Sequence, residues 1–176
     1  MSRSWWNRIR SLFFFATTLV ASAYSQTFVS PTENVAAPPL PEIYQHWLDE
    51  DVRYIIKDEE RLQFLLLPGD KDHDNFVRAF WERRNPHPGS YENIFKEEHY
   101  RRMAYANAHF GEQVAGWQTD RGEIYIVLGP PDEISVQREA GIKAEIWRYR
   151  EAPSESSRRE LRFVDRCNCG HYALER

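Results

Sequence analysis

The sequence changes character at GWQTD, residues 116–120. The run EIYIVL (123–128) follows this stretch, and GPPD (129–132) ends that run. Aromatic and β-branched residues favour strands, whereas Gly and Pro mark turns. We therefore predict a short strand over 123–128 that begins and ends at a turn, with different secondary structure on the two sides of GWQTD.

The segment before GWQTD has the spacing of amphipathic helices. The longest predicted helix runs from about residue 91 to 110, because side chains suited to one buried face recur every three or four positions. Those positions are Phe95, His99, Met103, Ala106 and Phe110. Shorter helices are predicted over 58–67 and at about 70–81, where acidic residues favour the helix N-terminus.

The segment after GWQTD is predicted to form short strands. Residues 144–150 alternate Ile146 and Arg148 with Trp147 and Tyr149 in a period-two pattern, and further strands are predicted at 161–164 and 172–174. Helices that precede the strands, with short connections between strands, indicate an α+β fold with antiparallel pairing. We expect N-terminal helices to pack on a three- or four-stranded antiparallel sheet.

The N-terminus has the pattern of an export signal. Three arginines precede an apolar run of about ten residues, which is short for a membrane span, and small residues follow at 21–23. We predict a signal peptide over 1–25, a proline-bearing linker over 26–41 and one domain over 42–176; an uncleaved membrane anchor is the alternative. The prediction is an exported protein of the periplasm or cell surface, with no transmembrane segment after cleavage.

The charge of the chain disfavours polyanionic partners. The net charge is −4, and loss of the three signal-peptide arginines would change it to −7. An acidic domain is a poor ligand for nucleic acid, so we expect no nucleic-acid partner.

Several segments, in a fixed order, resemble the GWxTD domain of bacterial proteins. The resemblance covers roughly residues 44–165 and includes WLDEDVRYII (47–56), FWERRNP (80–86), EEHYRR (97–102), GWQTD, RGEIYI (121–126), GPPDEI (129–134) and WRY (147–149). It implies an exported or surface-associated protein, and it assigns no catalytic residue, cofactor or ligand.

Trp117, Thr119, Asp120 and Arg121 are the first candidate binding residues. Short polar side chains bond nearby backbone groups, and a buried tryptophan anchors a loop, so turn chemistry explains most of the stretch. The functional alternative places Asp120 and Arg121 at a binding cleft.

His99 and Arg102 are further binding candidates on the long helix. A buried, hydrogen-bonded histidine is the simpler interpretation of His99, and Glu98 is expected to pair with Arg102 four residues later. The alternative is a hydrolase in which His99 acts as a base with Asp120 or a metal.

Cys167, Cys169 and His171 form the one candidate metal cluster. Structural zinc takes four ligands, so three in five residues are incomplete, and we expect inert cysteines first. A disulfide within the chain, a disulfide between chains, and a redox or metal-handling role remain alternatives.

The first functional hypothesis is a non-catalytic binding or assembly module with a protein partner in the cell envelope. The sequence contains no HExxH, G-x-S-x-G or P-loop motif, and no nucleophile, base and orienter can be grouped.

Overall fold

The chain forms a set of helices followed by an antiparallel sheet. The structure is a computed structural model that describes residues 39–150 and 158–175. The helices are α1 (Glu42–His46), α2 (Asp58–Leu65), α3 (Asp70–Glu82), α4 (Ile94–Phe110) and α5 (Asp120–Leu128). A π-helical turn, Trp47–Asp51, continues α1, and a 3₁₀ turn, Gly116–Gln118, precedes α5. The predicted signal peptide and residues 26–38 of the predicted linker lie outside the described residues.

Four strands form one sheet in sequential order. They are β1 (Glu133–Glu139), β2 (Ile142–Arg150), β3 (Arg158–Asp165) and β4 (Ala173–Leu174), and each pairs antiparallel with its neighbour. The predicted α+β class with an antiparallel sheet is confirmed. Among the described residues, no helix combines the length and apolar content that crossing a bilayer requires.

The strand predicted over 123–128 is wrong, because this run lies in α5. Thr119 accepts a hydrogen bond from the Gly122 N–H (3.0 Å) and so supplies the N-cap of the helix. Gly129, at a φ of 86°, ends the helix, and Pro130 follows. These start and stop signals, with burial of one helix face, outweigh the strand preference of the run. The first strand instead begins after the Gly-Pro-Pro turn, at Glu133.

The N-terminal helices enclose an aromatic core, here called the helical cluster. Its members are Tyr44, Trp47, Leu48, Val52, Phe64, Phe80 and Trp81. The ring of Phe64 meets that of Trp47 with centroids 4.9 Å apart, and Trp47 meets Phe80 edge-on at 5.2 Å. Edge-to-face and tilted contacts of this kind add to the free energy of burial, so a short helical segment gains a rigid core.

A second core, the sheet cluster, lies between the sheet and the pair α4 and α5. It contains Met103, Ala106, Phe110, Trp117, Ile126, Trp147, Tyr149 and Phe163. Trp147 is fully buried and touches Phe110 from the helix side and Phe163 from the neighbouring strand. Tyr100 of α4 packs against both clusters, so the long helix connects them.

Glu60 joins α2 to the end of α3 through two arginines. Arg84 donates to its carboxylate at 2.6 Å and Arg83 at 2.9 Å, while the Arg84 guanidinium lies 3.6 Å from the centre of the Phe80 ring. Burial by itself would raise the pKa of Glu60. The hydrogen bonds from Arg84 and Arg83 and from the Lys57 N–H outweigh burial and lower that pKa to about 2.

Glu60→Gln is expected to reduce the acid sensitivity of stability. Because the folded-state pKa lies below the ordinary 4.5, the carboxylate stabilises the fold above pH 4.5 and loses this contribution as pH falls towards 2. Chemical denaturation from pH 7 to pH 2 should show a loss of about 1–3 kcal/mol at pH 7 and a shallower decline below pH 4.5. Glu59→Gln, at an exposed neighbouring position, should follow the parent protein.

Candidate functional site

Residues 116–122, here called the signature segment, lie in direct backbone contact with α4. A Cβ on Gly116 would overlap the carbonyl oxygen of Ala106, and a Cβ on Gly122 would overlap the carbonyl oxygen of Gly116. Glycine is therefore required at both positions by space. Gly122 lies inside α5, where it allows the first turn of that helix to pack directly on the 3₁₀ turn.

Trp117 connects the signature segment to two other parts of the chain. Its indole is buried in the sheet cluster. Its backbone N–H donates to the Asn107 side chain at 3.0 Å, and its carbonyl oxygen accepts from the Tyr54 hydroxyl at 3.0 Å. The expectation that Trp117 anchors this segment by burial agrees with these contacts.

Thr119 and Asp120 bond backbone groups, as turn and cap chemistry predicts. Thr119 caps α5 and also donates from its hydroxyl to the Gly116 carbonyl oxygen at 2.8 Å. The Asp120 carboxylate accepts the Leu174 N–H at 2.6 Å and so ties the start of α5 to β4. α5 is about 13 Å long, and Asp132 lies beyond its C-terminal end, whereas Asp120 is at its N-terminal end. The Asp132 carboxylate accepts the Arg150 N–H.

Arg121 reaches from α5 into the sheet and is 8% exposed. Its guanidinium lies 3.2 Å from the Glu145 carboxylate, which also accepts the Trp147 indole N–H at 3.1 Å. The guanidinium faces the Tyr172 ring at 4.1 Å and the Phe110 ring at 5.1 Å. These contacts link α4, α5, β2 and the C-terminal segment through one side chain.

A small cavity of about 90 Å³ adjoins Arg121. Its lining comprises Phe110, Glu112, Gln113, Val114, Thr119, Arg121, Gly170, His171 and Tyr172. The volume corresponds to about three water molecules. The Nε atom of Arg121 is buried without a hydrogen-bond partner among the described residues. The structure thus brings the predicted binding residues Thr119 and Arg121 together with His171, a member of the predicted metal cluster.

The C-terminal loop is organised by a buried carboxylate. Asp165 is 1% exposed and accepts the backbone N–H groups of Cys169 (3.1 Å) and Gly170 (2.9 Å). Cys167 and Cys169 form a disulfide, one of the alternatives left open by the sequence. Asp165 and the two sulfurs lie within 4.8 Å of one another, and His171 is outside this group. Since thiolates are the metal ligands, binding a metal here would first require reduction.

His99 lies in a different region, beside the helical cluster. Its Nε2 atom is 2.6 Å from the Asp51 carbonyl oxygen, and Trp81 packs against its ring at 5.5 Å. A carbonyl oxygen only accepts, so Nε2 carries the proton. Burial lowers the pKa of His99, partly offset by its bond to Asp51. Among the hydrogen bonds of the described residues, none joins His99 to Asp120.

Arg102 closes the C-terminal end of α5. The predicted pair with Glu98 is confirmed, at 2.7 Å from the Arg102 Nε atom. The same side chain donates to the Ile126 carbonyl oxygen at 3.2 Å, one of the helix-end acceptors that lack a partner within the helix. The hydrogen bond from Arg102 lowers the pKa of Glu98. Burial acts in the opposite direction but has the smaller effect.

A groove of about 750 Å³ lies between α3 and α4. It is lined by Asp74, Val77, Arg78, Trp81, Glu82, Ser90, Tyr91, Asn93, Lys96, Glu97 and Tyr100. Tyr91 is fully exposed, and the Lys96 ammonium lies 5.7 Å from the centre of the Trp81 ring. No pattern in the sequence predicted this groove; its one local sign is an aromatic residue, Tyr91, in the polar loop before α4.

The fold and these contacts define a class of protein: a small α+β domain whose GWQTD segment joins a helix pair to an antiparallel sheet. The model of the GWxTD domain family matches residues 21–176, nearly the whole chain. The chain belongs to the GWxTD domain family, as its motifs predicted. No protein with a curated description and no solved structure shows significant similarity to it.

Gly116→Ser is expected to destabilise the fold by about 1–3 kcal/mol, because the new side chain meets backbone atoms that cannot rotate away. Gly69→Ser is the matched control: no atom lies within 4 Å of a Cβ there, and serine is favourable at that helix N-cap. Thermal and urea unfolding would measure both variants. Equal stabilities would contradict the close packing of Gly116.

Arg121→Met is expected to cost about 3–5 kcal/mol, because it leaves the largely buried Glu145 carboxylate without its cation. Arg148→Met removes an arginine that pairs with the more exposed Glu133 and Glu160, and should cost about 1 kcal/mol or less. Urea denaturation would compare them. The double variant Arg121→Met/Glu145→Gln should lose less stability than Arg121→Met alone; a larger loss would argue against an unpaired charge as the cause.

Proposed function

We propose that this protein is a non-catalytic binding module, exported to the cell envelope, that receives a segment of an envelope protein in the groove between α3 and α4. The observation that carries the proposal is the groove itself, which combines exposed aromatic surface with charges of both signs. The signature segment then serves to hold the domain together and takes no part in chemistry.

The composition of the groove favours a protein segment as ligand. Tyr91 projects at the rim and Tyr100 is partly exposed in the groove, whereas Trp81 lines it from the helical cluster and is only 4% exposed. Tryptophan and tyrosine are the residues that most often dominate the free energy of protein association. Arg78 of α3 and Lys96 of α4, together with Asp74, Glu82 and Glu97, suit a partner that itself carries charges of both signs around an apolar anchor.

The bonding of the signature residues supports a structural role for them. Thr119 and Asp120 accept backbone N–H groups, and Arg121 is held by Glu145. A catalytic group must reach a substrate within hydrogen-bond distance or through one water. Side chains already engaged in capping, strand attachment and a buried ion pair are poorly placed for that task.

Export is supported by two independent features. The N-terminal sequence has the charge and apolar pattern of a signal peptide. The pairing of Cys167 with Cys169 is of the kind that oxidising compartments such as the periplasm maintain. Both features agree with the exported or surface-associated location that the family resemblance implies.

The hydrolase hypothesis remains a prediction without a supporting contact. His99 is 4% exposed and is bonded to the Asp51 backbone, whereas Asp120 is bonded to the Leu174 backbone. His99 therefore packs beside the helical cluster, whereas Asp120 lies at the start of α5 next to β4. A base and its carboxylate would need a shared opening, and the cavity beside Arg121 has neither residue in its lining.

The proposal is tested by placing a photo-crosslinking amino acid at Tyr91 and, as a matched control, at Leu66, which is 83% exposed but outside the groove. In intact cells, irradiation should attach one envelope protein to position 91 and not to position 66. Failure to trap a protein at 91, or the same products at both positions, would contradict the groove as the binding surface.

Tyr91→Ala should then weaken binding of the purified partner by about tenfold or more, since the ring is an exposed anchor that the partner would bury. Leu66→Ala should leave the dissociation constant unchanged. Isothermal titration calorimetry would measure both, and circular dichroism would verify that each variant remains folded. Equal affinities would show that Tyr91 is not the anchor.

A further inference from the structure

β1 is an edge strand with an open side. All seven of its residues, Glu133–Glu139, pair in register with β2, and β1 is the first strand in the sheet order. Among the described residues, no strand pairs with its other side. An edge strand of this length presents a row of backbone donors and acceptors to another strand.

The edge also carries exposed apolar side chains on one face. Ile134 is paired with Trp147, and Val136 with Glu145, so both lie on the sheet face that packs against the helices. Trp147 is fully buried, yet Ile134 is 52% exposed and Val136 is 67% exposed. The helix layer therefore ends between β2 and β1, and these two side chains form an apolar ledge beside the open edge.

We propose that β1 pairs antiparallel with β1 of a second copy, about a twofold axis at Ser135. This register sets Ile134 opposite Val136 of the other chain and Asp132 opposite Arg138. The two four-stranded sheets become one continuous sheet. The exposed apolar side chains of both copies meet on the helix side, where each copy by itself leaves them in water.

Side-chain chemistry selects this register over its neighbours. A slip of one residue would place the apolar ledges of the two copies on opposite faces of the sheet. A register centred on Val136 keeps the faces matched but sets Glu133 opposite Glu139, and like charges directly opposite destabilise a pair. Arg138 has no ion pair with any other described residue. The proposed register supplies Asp132 of the second copy, one carboxylate oxygen of which also accepts the Arg150 N–H of its own chain.

The other end of the sheet does not offer an equivalent surface. β4 has only two residues, Ala173–Leu174, so it presents little backbone for pairing. A symmetric pair through β1 also closes on itself, since the same strand serves as donor and acceptor surface in both copies. The expected product is a dimer and not a chain of subunits.

Cysteine crosslinking tests the register. Residues that face each other across the twofold axis have Cα atoms about 4.5–5.5 Å apart, within the range of a disulfide. Ser135→Cys in the full chain should therefore give a covalent dimer on mild oxidation. Gln137→Cys, on the same face of β1, is the matched control, because its two copies would lie four positions, about 13 Å, apart. Equal yields at 135 and 137 would overturn the proposed pairing.

Analytical ultracentrifugation tests the apolar ledge. The unmodified chain should dimerise with rising concentration, and Val136→Lys should raise the dimer dissociation constant by about tenfold or more. Leu66→Lys, at an apolar position outside the sheet that is 83% exposed, should leave the dimer dissociation constant unchanged. The proposal would be refuted if the chain stayed monomeric at all concentrations, which is also the result expected if β1 pairs with a strand of another protein. A dimer whose dissociation constant does not change with Val136→Lys would refute it as well.

Discussion

The close backbone contact of Gly116 with α4 is the constraint on which the rest of this domain depends. With no side chain at 116 or 122, the 3₁₀ turn and the first turn of α5 settle directly onto Ala106 and onto each other. This contact sets the position of α5, and α5 in turn carries Asp120 to β4 and Arg121 to β2. A single added carbon at Gly116 would therefore push the 3₁₀ turn away from α4.

The polar residues of the signature segment stabilise the fold in different ways. Thr119 satisfies a backbone donor at the start of α5, and Asp120 satisfies one in β4. Arg121 compensates the Glu145 charge inside the sheet cluster, where an unpaired carboxylate would be costly. In this chain the signature segment thus forms a junction between helices and sheet, while the α3–α4 groove and the β1 edge are open to solvent.

The sequence predicted most of the architecture, and its main error has a physical cause. Apolar spacing located α4 to within a few residues, alternation located β2, and the strand predicted at 161–164 lies within β3. The strand prediction for residues 123–128 was wrong because these residue types favour strands, whereas the flanking Thr119 and Gly129 mark the two ends of a helix. Cap chemistry, together with burial of Ile126 against α4, decided the conformation. Of the candidate residues, Thr119, Arg121 and His171 share one cavity, and His99 and Arg102 lie elsewhere.

The sequence by itself determined the family, the order of helices before strands, and the residues that turns and caps require, because these depend on local chemistry and on spacing along the chain. Only the tertiary structure decided that Arg121 meets Glu145, that α3 and α4 enclose a groove, and that Ile134 and Val136 remain uncovered. These features depend on which elements lie side by side. That arrangement follows from packing between residues far apart in sequence, which no local pattern encodes.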